Sequence, residues 1–130
     1  PSVAGKSIYM LVVDRFARSR ASWADNPVSF ANDCGGDRFC GGSIRGVIEQ
    51  LDYIQGLGFE CVWITPVTKQ YSPQWDCFTG HCGTAFHGYW TEHFYRVDER
   101  FERAGVKVFI PADHASRGLC TIGVAVPNPV

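Results

Sequence analysis

No stretch of this chain is apolar for anything near the ~20 residues that a bilayer-spanning helix requires. Charge of one sign is missing too: 12 basic and 13 acidic residues leave a formal net charge of −1. That balance gives no electrostatic footprint for nucleic acid or an anionic membrane. Its one basic cluster, Arg15, Arg18 and Arg20, reads as a solvated loop after a strand. Internal repeats and low-complexity tracts are absent, as are a nucleophile elbow and any local Ser-His-Asp or Cys-His pattern. Gly5-Lys6-Ser7 imitates the end of a phosphate-binding loop, but it precedes a strand instead of following one. The chain opens on Pro1 without an initiator Met or signal peptide, as expected of one that begins after a processing site.

What is present is the composition of a globular domain, with 45% hydrophobic and 19% charged residues in a length of 130. Six cysteines favour an oxidising compartment. Cys34 and Cys40 bracket CGGDRFC, Cys77 and Cys82 bracket CFTGHC, and each pair is a plausible local bridge. A zinc site drawing on His81 or His87 is the alternative, although both spacings are looser than those of zinc knuckles. Cys61 lies inside an apolar run, where a buried free thiol is the default, and Cys120 has no assigned place.

Ser7 to Val13, SIYMLVV, is a near-continuous apolar run that predicts a strand buried on both faces, ending at Asp14. Residues 17–42, rich in Ser, Asn, Asp and Gly, predict a long excursion. Ile44, Val47, Ile48, Leu51 and Ile54 then recur at helical spacing, with Ser43 as N-cap and Gly56 and Gly58 as stop signals. Cys61 to Thr65 predicts a second buried strand, closed by Pro66. Strand, helix and strand make a βαβ unit and therefore a parallel sheet. Residues 66–93 predict a second long loop without periodicity, followed by a short extended piece at Phe94–Val97. Val106–Ile110, VKVFI, is the expected third strand, which leaves only DERFERAG for a crossover and implies a lost helix. The residues from Gly118 onward show no pattern.

Among acidic residues, Asp14, Asp98, Glu99 and Asp113 are possible catalytic carboxylates. Cleavage of a sugar linkage needs two, facing each other across the bond. Asp14 is also readable as a structural carboxylate bonded to Arg15 or to loop amides. The loop aromatics Tyr71, Trp75, Phe78, Phe86, Tyr89 and Trp90 form either a small core of their own or a stacking surface for pyranose rings, with His87 as a polar neighbour.

SIYMLVVDRFAR, CGGSIRGVIEQLDYIQGLGF, VWITPV and FHGYW, in this order from about Ser7 to Phe101, resemble the N-terminal part of fungal α-amylases of glycoside hydrolase family thirteen. The resemblance implies an α/β fold, an incomplete (β/α)8 TIM barrel comprising the first strands and helix with long loops on the active-site side. It implies that Tyr89 stacks on the sugar at the cleaved bond, with His87 and Trp90 beside the cleft. It matches Cys34 and Cys40 to the family's first disulfide. Past Phe101 the pattern departs: residues 1–101 fit the barrel, whereas 102–130 read as a divergent or truncated tail, a remnant of the third strand. In that tail Asp113 stands where the family has a calcium-binding Asn, and His114 where it has a substrate-contacting His. The resemblance further implies a calcium cofactor, an α-glucan partner, a secreted monomer and a retaining mechanism. The family's catalytic carboxylates lie on later strands, and none is among these residues, so this chain alone is expected to be inactive. A disulfide-stapled carbohydrate-binding module and a glucanotransferase are the rival readings.

Overall fold

The computed structural model describes residues 3–19, 36, 38–71, 76–78, 81–101 and 118–123. The two apolar runs become strands β1 (Ile8–Leu11) and β2 (Cys61–Ile64), paired in parallel with Met10 opposite Trp63. The first run leaves the sheet earlier than its composition suggests. Val13–Phe16 turns into a short helix, α1, because the Val13 amide is taken by the Thr65 hydroxyl (3.2 Å).

The crossover between β1 and β2 is helical, as the periodicity predicts. Ser43 caps it, its hydroxyl accepting from the Gly46 amide at 3.1 Å. The helix is in two parts, α2 (Ile44–Glu49) and α3 (Leu51–Gly56), broken at Gln50, whose ψ of 12° and tighter bond to Val47 O interrupt the ladder. The stripe survives the break: Ile44, Val47, Ile48, Leu51 and Ile54 are all buried against Leu11, Val62 and Ile64. Phe101, fully buried in this core, accepts the Ile44 amide through its carbonyl (2.9 Å), so it serves the same helix terminus as Ser43.

Val106–Ile110, expected as the third strand, lies outside the described residues. Among those described, a further parallel strand, β7 (Cys120–Gly123), pairs on the far side of β2, giving the order β1-β2-β7. Residues 102–119 therefore separate Phe101 from β7, and the chain is long enough there for a crossover. β7 also corrects the reading of two cysteines: Cys61, opposite Cys120 in the ladder, is not a free thiol but is bonded to it, with Cα atoms 4.5 Å apart. The pair closes a loop across 59 positions of sequence.

The 66–93 stretch is less irregular than expected. β3 (Thr68–Gln70) pairs antiparallel with β6 (Thr91–Val97), and between them β4 (Asp76–Phe78) pairs antiparallel with β5 (His81–Gly83). The backbone register of the inner pair sets Cys77 opposite Cys82. Cys40 is disulfide-bonded, and Cys34, its expected partner, lies outside the described residues.

Candidate functional site

β2 delivers the chain to Thr65 and Pro66, and this is where the HGYW stretch is anchored. Gly88 has φ of 88°, and a Cβ there would lie 2.0 Å from the Pro66 carbonyl oxygen. Only glycine fits both the left-handed backbone and this approach. Its amide donates to Ala85 O (3.0 Å), closing a tight turn against the exit of β2.

The turn gathers the aromatic side chains. The His87 ring lies 5.8 Å from Tyr89 in a stacked arrangement, 5.1 Å from Trp90 edge-on, and 5.3 Å from Phe86 edge-on. The Tyr89 amide donates to His87 Nδ1 at 3.0 Å, so the neutral ring carries its proton on Nε2 and offers a donor on that side. Burial holds the His87 pKa below the usual histidine range, which keeps the ring neutral near pH 7. Tyr89 and Trp90 are 41% and 39% exposed, while Phe86 is half-buried. The Phe86 face lies 3.8 Å from the Arg15 guanidinium carbon, a contact worth about 1 kcal/mol when partly desolvated.

Two of the possible catalytic carboxylates, Asp14 and Asp98, serve as frame, while Glu99 is an exposed partner of Lys69. Asp14 is 1% exposed and accepts from the amides of Cys40 (2.7 Å) and Gly41 (3.1 Å). Arg15 Nε lies 3.2 Å from Asp14 Oδ2 as an ion pair without hydrogen-bond geometry. Burial pushes the Asp14 pKa up, against the opposing pull of those amides and of Arg15. Two of the three arginines expected in a solvated loop are engaged instead, Arg15 donating to Gly36 O and Arg38 O and Arg18 to Cys40 O, all within 2.9 Å, and Arg20 lies outside the described residues. Gly42 passes against the same turn, where a Cβ would fall 2.2 Å from Val13 O.

Asp98 is fully buried. Burial alone would raise its pKa, but two hydrogen bonds from the Arg100 side chain, with the Gln70 and Arg100 amides, outweigh it and hold the carboxyl below the usual range. Arg100 is in turn seated over the Phe39 ring at 4.2 Å. Gln70, buried at the end of β3, was not singled out from sequence, because a lone polar residue in TKQ carries no motif.

Of the expected site residues, the structure brings His87, Tyr89 and Trp90 together. Asp113 and His114 lie outside the described residues, and in chain order they precede β7, whereas the resemblance put them at the end of the third strand. Among the described residues no three His, Cys, Asp or Glu side chains converge on a metal position, and Asp113, the residue the resemblance assigns to calcium, is not one of them. Among them, too, no helix is long and apolar enough to cross a membrane.

These features define the opening units of a parallel β/α barrel, with a half-exposed aromatic loop at the strand ends where such barrels carry their sites. The family model of the alpha amylase catalytic domain matches residues 10–128, and the chain belongs to that family of glycoside hydrolases. The match runs past Phe101 and through β7. Alpha-amylase 1 of Schwanniomyces occidentalis is 43% identical over 125 residues, covering 95% of this chain and 22% of the relative. An α-amylase structure from Malbranchea cinnamomea superposes with a TM-score of 0.67 at 38% identity, over 91% of this chain and 23% of that one. A cyclomaltodextrin glucanotransferase with a three-domain arrangement gives a TM-score of 0.67 at 28% identity, over 91% of this chain and 24% of its own. The chain thus spans 17% to 22% of the length of such relatives.

Proposed function

We propose that this chain is the N-terminal segment of a secreted α-amylase that hydrolyses internal α-1,4 bonds of starch-like glucans with retention, with His87, Tyr89 and Trp90 forming one wall of the sugar site. The observation that carries the reading is the cluster of a neutral His and two half-exposed aromatic rings fixed beside the exit of β2. Aromatic faces offer apolar contact to the C–H side of a pyranose, and His87 Nε2–H offers a donor to a hydroxyl. Asp14 and Asp98 are committed to amides and arginines, so the carboxylate pair for retaining hydrolysis must come from elsewhere in the polypeptide. The Cα opposition of Cys77 and Cys82 supports a bridge between them, and the Cys61–Cys120 disulfide supports an oxidising destination.

A binding module without catalysis has no use for a parallel sheet with helical crossover, whereas a barrel enzyme requires both. Transfer in place of hydrolysis is the remaining competitor, since a glucanotransferase shares the fold. Product analysis on maltoheptaose separates the outcomes. The full polypeptide carrying this segment is expected to release short linear α-anomers, and the 130-residue chain alone to release no reducing sugar above a heat-killed control. Cyclic products would assign transfer, initial β-anomers would exclude retention, and hydrolysis by the short chain would overturn the assignment of catalysis to other segments.

A further inference from the structure

One buried side chain, Gln70, ties the aromatic wall to β3. Every hydrogen-bonding group of Gln70 is engaged. Its Oε1 accepts the Trp90 amide at 2.8 Å, and its Nε2 donates to Thr68 O (2.8 Å) and Thr68 Oγ1 (3.3 Å). Its backbone amide donates to Asp98 Oδ2 (2.8 Å), and its carbonyl accepts from Arg100 Nη2 (3.4 Å). The next residue, Tyr71, donates its amide to Trp90 O at 2.7 Å. Trp90 is therefore held at both backbone groups, its N–H by the Gln70 side chain and its carbonyl by the Tyr71 main chain.

The amide orientation of Gln70 is not free to reverse. Thr68 O is only an acceptor, so it fixes Nε2 toward Thr68 and Oε1 toward Trp90. Thr68 Oγ1 is also within 2.8 Å of Thr91 Oγ1, which continues the chain of contacts across the β3–β6 pair. Below, the bidentate Arg100–Asp98 pair holds the strand carrying Gln70.

We propose that Gln70 is a positioning residue for glucan recognition: through Trp90 it sets the angle and spacing of the His87–Tyr89–Trp90 wall. It touches no substrate itself. The inference rests on the reading of that wall as part of the sugar site. The physical case is that Trp90 directly precedes β6, where the ladder bond that would order its amide comes from a side chain instead of a strand. Replacing that acceptor with an apolar group leaves a partly buried N–H without a partner and releases Trp90 from its place beside His87.

The test is a double-mutant cycle in the full polypeptide, with maltoheptaose as substrate. Gln70→Met keeps the length and removes both polar ends. It is expected to raise KM about tenfold, the loss typical of one unsatisfied buried hydrogen bond, with kcat falling less. In a Trp90→Ala background, which keeps the amide that Gln70 holds but removes the ring it positions, the same change is expected to alter KM less than about twofold. A merely structural role would lower stability and act equally in both backgrounds, which would overturn the proposal. An unchanged KM in the single variant would overturn it as well. Thr68→Val, which leaves Gln70 in place but frees one of its anchors, is expected to shift KM in the same direction by about threefold and serves if Gln70→Met does not fold. A parent that neither binds nor cleaves maltoheptaose would instead refute the amylase reading. A parent that cleaves it with Gln70→Met unaffected would refute only the positioning role.

Discussion

His87 shows how one side chain can be both an anchor and a titrating weak point. Its Nδ1 holds the Tyr89 amide only while the ring is neutral. Burial lowers its pKa in the folded chain below the ordinary value of 6.5. As pH falls the unfolded state takes up the proton first, so His87 contributes stability above the unfolded pKa and loses it as pH drops through the folded one. Asp14 has the opposite sign: with a raised folded pKa, it favours folding below the usual carboxylate range and loses that contribution as pH rises through its own pKa. A difference between parent and His87→Gln cancels the Asp14 contribution. Denaturation midpoints of the full polypeptide between about pH 7 and 5 are expected to fall more steeply for the parent than for the variant; parallel profiles would refute the assignment. At this scale the clustering of His87, Tyr89 and Trp90 was legible because HGYW is a recognisable string. Gln70 and Arg100 were not, since a buried polar side chain is defined by partners that only the fold supplies. The sequence left Asp14 open between catalyst and frame, and the amides of Cys40 and Gly41 decide it.

At the scale of elements, the helical crossover was the most legible part, because five apolar residues at helical spacing and a capping serine agree on one answer. Its N-terminus is served from two distant points, the Ser43 hydroxyl on Gly46 N and the Phe101 carbonyl on Ile44 N. Loss of the hydroxyl leaves the Gly46 amide buried without its acceptor. Ser43→Ala is expected to destabilise the full polypeptide by about 1 kcal/mol, and Ser43→Asp, which restores an acceptor, by less. Urea titration reads both, and equal midpoints for parent and Ser43→Ala would show that the cap contributes nothing. The strands were harder to place. CTIG carries little β bias of its own, yet it pairs with β2, where Cys61 and Cys120 face each other. Short parallel strands are specified by neighbours and cross-links more than by their own propensity. The β3–β6 pair was hidden for a similar reason, because its register shifts on both sides of Lys69 and breaks any simple alternation.

For the whole molecule, the two faces of the sheet have different fates. Tyr9, Leu11, Val62 and Ile64 pack toward α2 and α3, in or against the core. The opposite face carries Ile8, Met10 and Trp63, which are 38%, 53% and 37% exposed, in register as a contiguous apolar strip across β1 and β2. Among the described residues, neither the outer edge of β1 nor that of β7 is paired. In a closed barrel this strip points inward and both edges are hydrogen-bonded, so the same residues that are sound in a full-length enzyme are liabilities in the short chain. The Cys61–Cys120 bond fixes β7 to β2 but covers neither the strip nor the edges. The 130-residue chain produced alone is therefore expected to self-associate at micromolar concentration and to bind a hydrophobic dye at room temperature. Met10→Lys with Trp63→Lys, placed where the strip is widest, should reduce association without restoring a sharp melting transition, because the missing strands remain missing. Light scattering and calorimetry on the two proteins decide it. A monomeric parent with a cooperative thermal transition would mean that this segment folds as a unit independent of the barrel.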